Sequence, residues 1–431
     1  MKRAALLALV LTLGASEARA TSGTAFGESA RVAALGTSVV GRPGDAGSIR
    51  ENPGGLGDVS EPQVMLGASV GRLSIGFARD GEAESERARW LGGFGLAVAT
   101  PLPGPDWLRR LRVGLALYMP AEYALRVSVD ERVDEPKSPI YDGRPDRMSA
   151  LAALGYEILP QLKLGAGVVM APSLATPTEV SYDADRADGV EKDVMVRLDR
   201  DLEMDVSPFF GARAQPLEKL GVGLTYRAAS VSRAGGNQRT VAGGILADDP
   251  IDYYQFWDPA EVVLGVAAGP FAGLSASADA GWARWSKFRS GFNREIDAPF
   301  EDTLNLRAGL EWQALPWLAA RGGWSLEPSP IPEQTGDENY LGADTHVVAL
   351  GAGANLRELW PRVPVAVDVF GRMHLSGKQQ AGKDPTELSD ASESLPGQQI
   401  DNLGYPGFSS TASFWQIGLS LTLFVGREKS R

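Results

Sequence analysis

The chain has no cysteine and only two histidines, His346 and His374, in 431 residues. The first absence excludes disulfides as a source of stability and thiolate chemistry as a function. The second leaves no metal-ligand spacing. The acidic stretches lack a calcium-loop pattern, and no Gly-rich phosphate loop ends in Lys-Ser or Lys-Thr. No cofactor is expected, and the chain does not read as an enzyme. Positive charge is scarce: 42 Lys and Arg stand against 54 Asp and Glu, a net charge of −12. Such a chain repels nucleic acid. Past residue 20 no uninterrupted apolar run reaches the roughly 18 residues of a membrane-spanning helix.

The first twenty residues read as a signal peptide. Lys2 and Arg3 form a charged head, Ala4 to Leu13 an apolar run, and Ala18-Arg19-Ala20 a small-x-small cleavage site. The mature chain is expected to begin at Thr21, with a net charge two units more negative. What is abundant is glycine, 51 residues. Ordinary usage of about 7% would give roughly 30, and the excess suits tight turns and closely packed strands. There is no linker, no low-complexity tract and no repeat with a 20–50-residue period.

Period two dominates the rest. Leu304, Leu306, Ala308, Leu310 and Trp312 alternate with Thr303, Asn305, Arg307, Gly309 and Glu311. Trp415, Ile417, Leu419, Leu421 and Leu423 alternate with Gln416, Gly418, Ser420 and Thr422. Successive side chains of a strand leave opposite faces, so these are strands with one apolar and one polar face. Fourteen are expected, over 61–79, 88–100, 110–131, 146–158, 161–182, 193–214, 218–233, 258–270, 272–289, 302–314, 316–327, 344–357, 361–375 and 412–426. Tight turns at Leu159-Pro160, Pro216-Leu217, Gly269-Pro270 and Leu315-Pro316 alternate with long polar loops, at 130–145, 234–257, 327–343 and 376–410. An even strand number with short turns at one end and long loops at the other describes an outer-membrane barrel. Trp282, Trp285, Trp312, Trp317, Trp324 and Trp415 fall near strand ends, where aromatic girdles sit. On this register Arg126, Asp205, Arg213, Arg227, Asp279, Arg307, Glu311, Arg321, Asp368 and Arg372 face the lumen, as charges that brace the wall.

Ahead of the first strand lies AFGESARVAALGTSVVGRPGDAGSIRENPGGLG, which resembles the N-terminal hatch of the FadL/TodX family of outer-membrane transporters. That family carries Asn-Pro-Ala where this chain has Asn52-Pro53-Gly54. DPAEVVLGVAAG with ADAGWARWSKF, RGGWSLEPSPIPEQTG with DTHVVALGAG, and LGYPGFSS resemble further family segments in the same order. The resemblance covers most of the mature chain. It implies an all-β fold: a transmembrane antiparallel β-barrel of about fourteen strands with an N-terminal plug in the lumen. The expected division is 1–20 signal peptide, 21–60 hatch and 61–431 barrel. The implied function is passive uptake of hydrophobic small molecules, such as long-chain fatty acids or hydrocarbons, across a Gram-negative outer membrane. The chain would act as a monomer among outer-membrane lipid and lipopolysaccharide.

Candidate residues follow from that reading. Asn52, Pro53 and Gly54 form a stiff, sharply turning hatch segment. Phe26 lies in the mature N-terminus, which the family places beside the ligand. Ile251, Tyr253, Tyr254, Phe256 and Trp257 cluster in an outer loop, as a landing site or as a loop packed on itself. Pro120, inside the third strand, marks a break in the ladder suited to lateral exit. The alternative is a related barrel that serves as a scaffold or carrier in protein export.

Overall fold

A computed structural model describes residues 29–82, 84–122, 134–141, 147–175, 178–182, 194–198, 201–242, 245–289, 296, 298–389 and 400–426. Its strands in chain order are β1 (Gln63–Arg79), β2 (Ser85–Pro101), β3 (Leu111–Pro120), β4 (Ser149–Leu159), β5 (Leu162–Ala175), β6 (Thr178–Tyr182), β7 (Val194–Leu198), β8 (Asp201–Leu217), β9 (Leu220–Arg227), β10 (Ser230–Ala242), β11 (Ile245–Asp258), β12 (Glu261–Phe271), β13 (Leu274–Ala283), β14 (Thr303–Leu315), β15 (Leu318–Glu327), β16 (Thr345–Asn355), β17 (Val365–Ser376), β18 (Gln379–Gly382) and β19 (Gly407–Phe424).

Fourteen of these make a closed ring. β1 pairs with β2, and antiparallel ladders continue through β3, β4, β5, β8, β9, β12, β13, β14, β15, β16 and β17 to β19. β19 returns to β1 over seventeen residue pairs, from Gln63–Phe424 to Arg79–Phe408. Closure leaves no edge, so backbone groups of the ring satisfy one another within lipid. The outer face is apolar: Leu66, Phe94, Leu115, Leu154, Phe210, Leu264 and Leu350 are all exposed. On β8 the register agrees with the sequence: Met204, Val206 and Phe210 are exposed, and Ser207, Phe209 and Arg213 are buried. Among the described residues no helix is long and apolar enough to cross a membrane, and the strands do the spanning.

Two-residue turns join β4 to β5, β8 to β9, β12 to β13 and β14 to β15, all at one end of the barrel. At that end Gly269-Pro270 and Pro216-Leu217 belong to their strands, and the turns fall just after them, at Ala272-Gly273 and Glu218-Lys219. At the other end an expected outer loop is strand: residues 234–242 and 245–257 belong to β10 and β11, paired antiparallel from Ser230–Asp258 to Ala242–Ile245. Thr240, Val241, Ile245, Tyr253, Tyr254, Phe256 and Trp257 are β-branched, aliphatic or aromatic residues that favour extended backbone. β10 also runs parallel to β6 and to the end of β5, so the hairpin has a partner that its own sequence does not reveal.

The segment from Ser29 to Val59 lies within the ring. It contains a one-turn helix α1 (Ala30–Ala34), capped by the Ser29 hydroxyl accepting from Val32 N, and two 3-10 turns, Ala46–Ser48 and Pro53–Asp58. Ala46, Ile49, Leu56 and Val59 share an apolar core with Met65, Ala97, Ala99, Leu151, Ala153 and Phe209 of the wall.

Candidate functional site

The lumen has two parts. Toward the short-turn end the Ser29–Val59 segment meets the wall on all sides. Asn52, wholly buried, donates from Nδ2 to Val40 O at 2.8 Å and to Ala212 O at 3.0 Å, while its Oδ1 accepts from Gly54 N at 2.9 Å. It therefore caps the 3-10 turn that Pro53 opens and ties that turn to β8. Pro53 and Gly54 lie against strand glycines. A Cβ on Gly165 would overlap Pro53, and one on Gly211 would overlap Asn52. The same holds on the neighbouring β9, where a Cβ on Gly223 would overlap Val40, and on β15, where one on Gly323 would overlap Gly36. Glycines with no side chain let a luminal backbone touch a strand backbone.

Charge closes the remaining gaps. Arg31 Nε donates to Glu311 Oε2 at 3.0 Å, Arg321 Nε reaches the same oxygen at 2.7 Å, and Arg321 Nη1 reaches Asp368 Oδ1 at 2.5 Å. Burial works against the Arg31 charge, but Glu311 and Asp45 outweigh it and hold its pKa above the ordinary value. Burial pushes the Asp45 carboxyl up, against the pull of Arg31. A second group joins Glu261 to Arg227 at 2.5 Å and to Arg307 at 3.0 Å, with Glu51 at 3.5 Å from Arg227. Lys163 and Arg213 both bond Asp58. Asp279 Oδ2 accepts from Val40 N at 3.1 Å. Of the inward charges expected from the alternation, Arg213, Arg227, Asp279, Arg307, Glu311, Arg321 and Asp368 are thus luminal and paired with one another or with the Ser29–Val59 segment, Arg372 bonds Gln416 of the wall, and Asp205 Oδ2 has no hydrogen-bond partner among the described residues. Arg126 lies outside the described residues.

Toward the long-loop end the lining changes character. Trp257, Trp285, Ile296, Phe300, Ile331 and Tyr340 form one buried cluster, with Phe288 against it. Phe288 stacks on Phe300 with ring centroids 4.4 Å apart and planes 5° apart, and Tyr340 meets Phe300 edge-on at 5.1 Å. A second cluster joins Leu73, Leu91, Ile140, Tyr141 and Phe414. A small cleft opens between Phe300, Pro332, Gln334 and Tyr340.

The candidates sort as follows. Asn52, Pro53 and Gly54 sit together at the centre of the lower contacts. Trp257 is buried in the aromatic cluster, as a self-packed loop would have it, and Tyr254 is half-buried on the same strand. Ile251, Tyr253 and Phe256 share β11. Pro120 is the last residue of β3, paired with Gly93, and bends follow it at Ala121 and Glu122, so it ends the described strand instead of interrupting it. Phe26 lies outside the described residues. Trp285, expected in an outer girdle, is wholly buried in the lumen instead. The strand ends at Ala283 and a 3-10 turn, Trp285–Lys287, follows. Trp282 is exposed three positions earlier, so period two gives position 285 the inner face, and that parity is the signal that could have revealed it. Gly67-Ala68-Ser69-Val70-Gly71 matches the five-residue string of a nucleophile elbow, but it runs through the middle of β1, and Ser69 Oγ accepts from Gln416 Nε2 at 2.9 Å. The strand-to-helix turn that such a nucleophile needs is not there.

No protein-family model matches the sequence, and no curated protein matches it either. Solved structures do match. A FadL homologue from Pseudomonas aeruginosa is 15% identical with a TM-score of 0.60, covering 95% of this chain and 100% of its own. The toluene transporter TodX of P. putida is 14% identical with a TM-score of 0.54, over 93% of this chain and 99% of its own. The monoaromatic hydrocarbon channel CymD is 13% identical with a TM-score of 0.53, over 95% and 100%. The fold is therefore that of the FadL/TodX channels: a closed fourteen-stranded antiparallel transmembrane barrel.

Proposed function

We propose that the protein is a passive outer-membrane channel for hydrophobic small molecules. The observation that carries this reading is the division of the lumen. An aromatic compartment at the long-loop end stands over a segment that fills the barrel beneath it. A general porin keeps a polar, water-filled bore, whereas this lining removes apolar surface from water, at about 25 cal/mol per Å². The solved structures of similar fold support the same class, since they include a toluene transporter and a monoaromatic hydrocarbon channel.

In this reading, ligand adsorbs at the β10–β11 hairpin around Ile251, Tyr253, Tyr254, Phe256 and Trp257 and passes into the aromatic compartment. The Ser29–Val59 segment is the body of a plug anchored by Asn52, Pro53 and Gly54, and the residues before it, Phe26 among them, yield to release ligand. Exit runs sideways near Pro120, where the described ladder of β3 stops. Long-chain fatty acids and aromatic hydrocarbons are the substrate classes to try first. The protein would be exported by a cleaved signal peptide and work as a monomer amid lipid and lipopolysaccharide. Uptake of radiolabelled oleate and toluene by cells that make the protein, against cells that lack it, tests the reading. Faster uptake of either compound is expected. Equal rates for both compounds would remove it.

A further inference from the structure

In the upper lumen the imidazole of His374 is left bare. His374 lies on β17 and is 2% exposed, and neither Nδ1 nor Nε2 has a hydrogen-bond partner among the described residues. Its ring packs on Phe414, directly across the ladder, with centroids 5.1 Å apart. Its other cross-strand neighbour is Val347, and Leu73, Leu91, Ile140 and Tyr141 complete the apolar surroundings of Phe414. The residues two positions to either side, which share its face, are satisfied. Arg372 Nε donates to Gln416 Oε1 at 2.7 Å. Ser376 Oγ lies 2.7 Å from Thr345 Oγ1 and 3.4 Å from Tyr141 Oη. The wall thus pairs its luminal polar groups immediately below and above His374 and leaves the imidazole bare. A dry, unpaired ring nitrogen costs free energy that a phenylalanine of similar shape would not.

The geometry points to His374 as a hydrogen-bonding anchor for ligands that carry one neutral hydroxyl on an apolar body, an alcohol or a phenol. The inference rests on the uptake reading above and narrows its substrate class. An uncharged imidazole offers one donor and one acceptor, and a hydroxyl offers the same pair in return. A bare hydrocarbon would leave both nitrogens as it found them. A carboxylate calls for a cation, and the nearby Arg372 is already engaged by Gln416. Phe414, Leu73 and Leu91 supply the wall for the apolar body.

The test uses the full chain in detergent and two probes of matched shape, 4-propylphenol and 4-propyltoluene, each titrated against wild type and His374→Phe. The variant should bind the phenol about tenfold more weakly, the usual worth of one hydrogen bond in a dry site, and the toluene within about twofold of wild type. His374→Gln, which keeps a donor and an acceptor, should recover part of the phenol affinity. In nitrogen-15 histidine-labelled protein the His374 ring resonances, assigned against His346→Asn, should move with the phenol and stay with the toluene. This last readout needs no variant at position 374. An equal loss for both probes, no loss for either, or a stationary His374 resonance would overturn the anchor and leave hydrophobic uptake standing. A wild type that binds neither probe would overturn both.

Discussion

The two halves of the lumen are built on opposite principles. The lower half is crowded and cross-linked by charge around a small apolar core. Arg31, Glu311, Arg321 and Asp368 form one chain of charges, Glu51, Arg227, Glu261 and Arg307 another, and strand glycines admit the Ser29–Val59 backbone to direct contact. The upper half holds rings: Trp257, Trp285, Phe288, Phe300 and Tyr340 in one group, Phe414 and Tyr141 in another. Ion pairs specify one arrangement, because a buried charge that loses its partner is penalised heavily. Apolar contacts are non-directional and tolerate exchange of one apolar surface for another. A fixed lower half and an exchangeable upper half suit the proposed channel, which would stay shut to water while admitting an apolar guest.

The sharpest way to break the contrast is to remove a shared carboxylate below. Glu311→Ala would leave Arg31 and Arg321 facing each other with only Asp45 and Asp368 as partners, and a cost of about 3 kcal/mol is expected, the lower end for a buried pair because both sites keep some solvent contact. Thermal unfolding in detergent reads it, and an unchanged midpoint would mean that water replaces the pair freely. Next is the backbone contact across the barrel. Gly323→Val places a branched side chain where Gly36 stands, an overpacking expected to cost about 2 kcal/mol. It should also expose the Ser29–Val59 segment to protease. Resistance equal to wild type would show that the segment does not depend on that contact. Asn52→Ala removes two donated hydrogen bonds and the cap on Gly54, for about 1–2 kcal/mol. Barrel assembly, read by heat-modifiable gel mobility, should persist, because no ring ladder uses the Asn52 side chain. Uptake of labelled oleate should change more than assembly does, and unaltered uptake by the folded variant would dissociate Asn52 from gating.

The lower half was the more legible in sequence. Strict alternation placed Arg213, Arg227, Asp279, Arg307, Glu311, Arg321, Asp368 and Arg372 on the inner face, because period two is a local property that needs no knowledge of partners. Their pairings are not local: Arg31 meets a carboxylate 280 positions away, and nothing in either segment announces the other. The glycines were visible as an excess, yet which of them face inward depends on strand register. The upper half was read less well. Gly235, Gly236, Gly243, Gly244 and Pro250 punctuate the 234–257 stretch as a loop would, while the strand that holds β10 in place is supplied by β6. Nearness to a strand end suggests an outer Trp285, but the exposed Trp282 three positions earlier already gives position 285 the inner face by period two. His374 carried no signal, since a lone histidine on the polar face of a strand looks the same whether it is paired or bare.

The smallest effect expected comes from Lys383, a buried lysine of the upper end, and it sharpens the contrast by showing how a cation fares there. Lys383 is held by backbone oxygens: Nζ donates to Gly336 O and to Glu338 O, at 2.7 Å each, and lies 5.4 Å from the centre of the Phe408 ring. Burial pushes its pKa down to about 8, against the opposing pull of Asp337, Glu338 and Asp134. The unfolded chain keeps the ordinary lysine value, about 10.4. The folded state therefore binds the proton less tightly than the unfolded one, and the sign follows from that. The Lys383 contribution is complete above about pH 10.4, falls as pH drops toward 8, and is flat below. Between pH 8 and pH 10 the wild type should gain on the order of 1 kcal/mol over Lys383→Met. The measurement is the difference in thermal midpoint between the two proteins in detergent, taken across that window, so that other lysines and tyrosines cancel. A difference that is constant with pH would mean that the two carbonyl oxygens and the Phe408 face solvate the ammonium as well as water does. The upper end would then hold a charge as comfortably as the carboxylates below hold theirs.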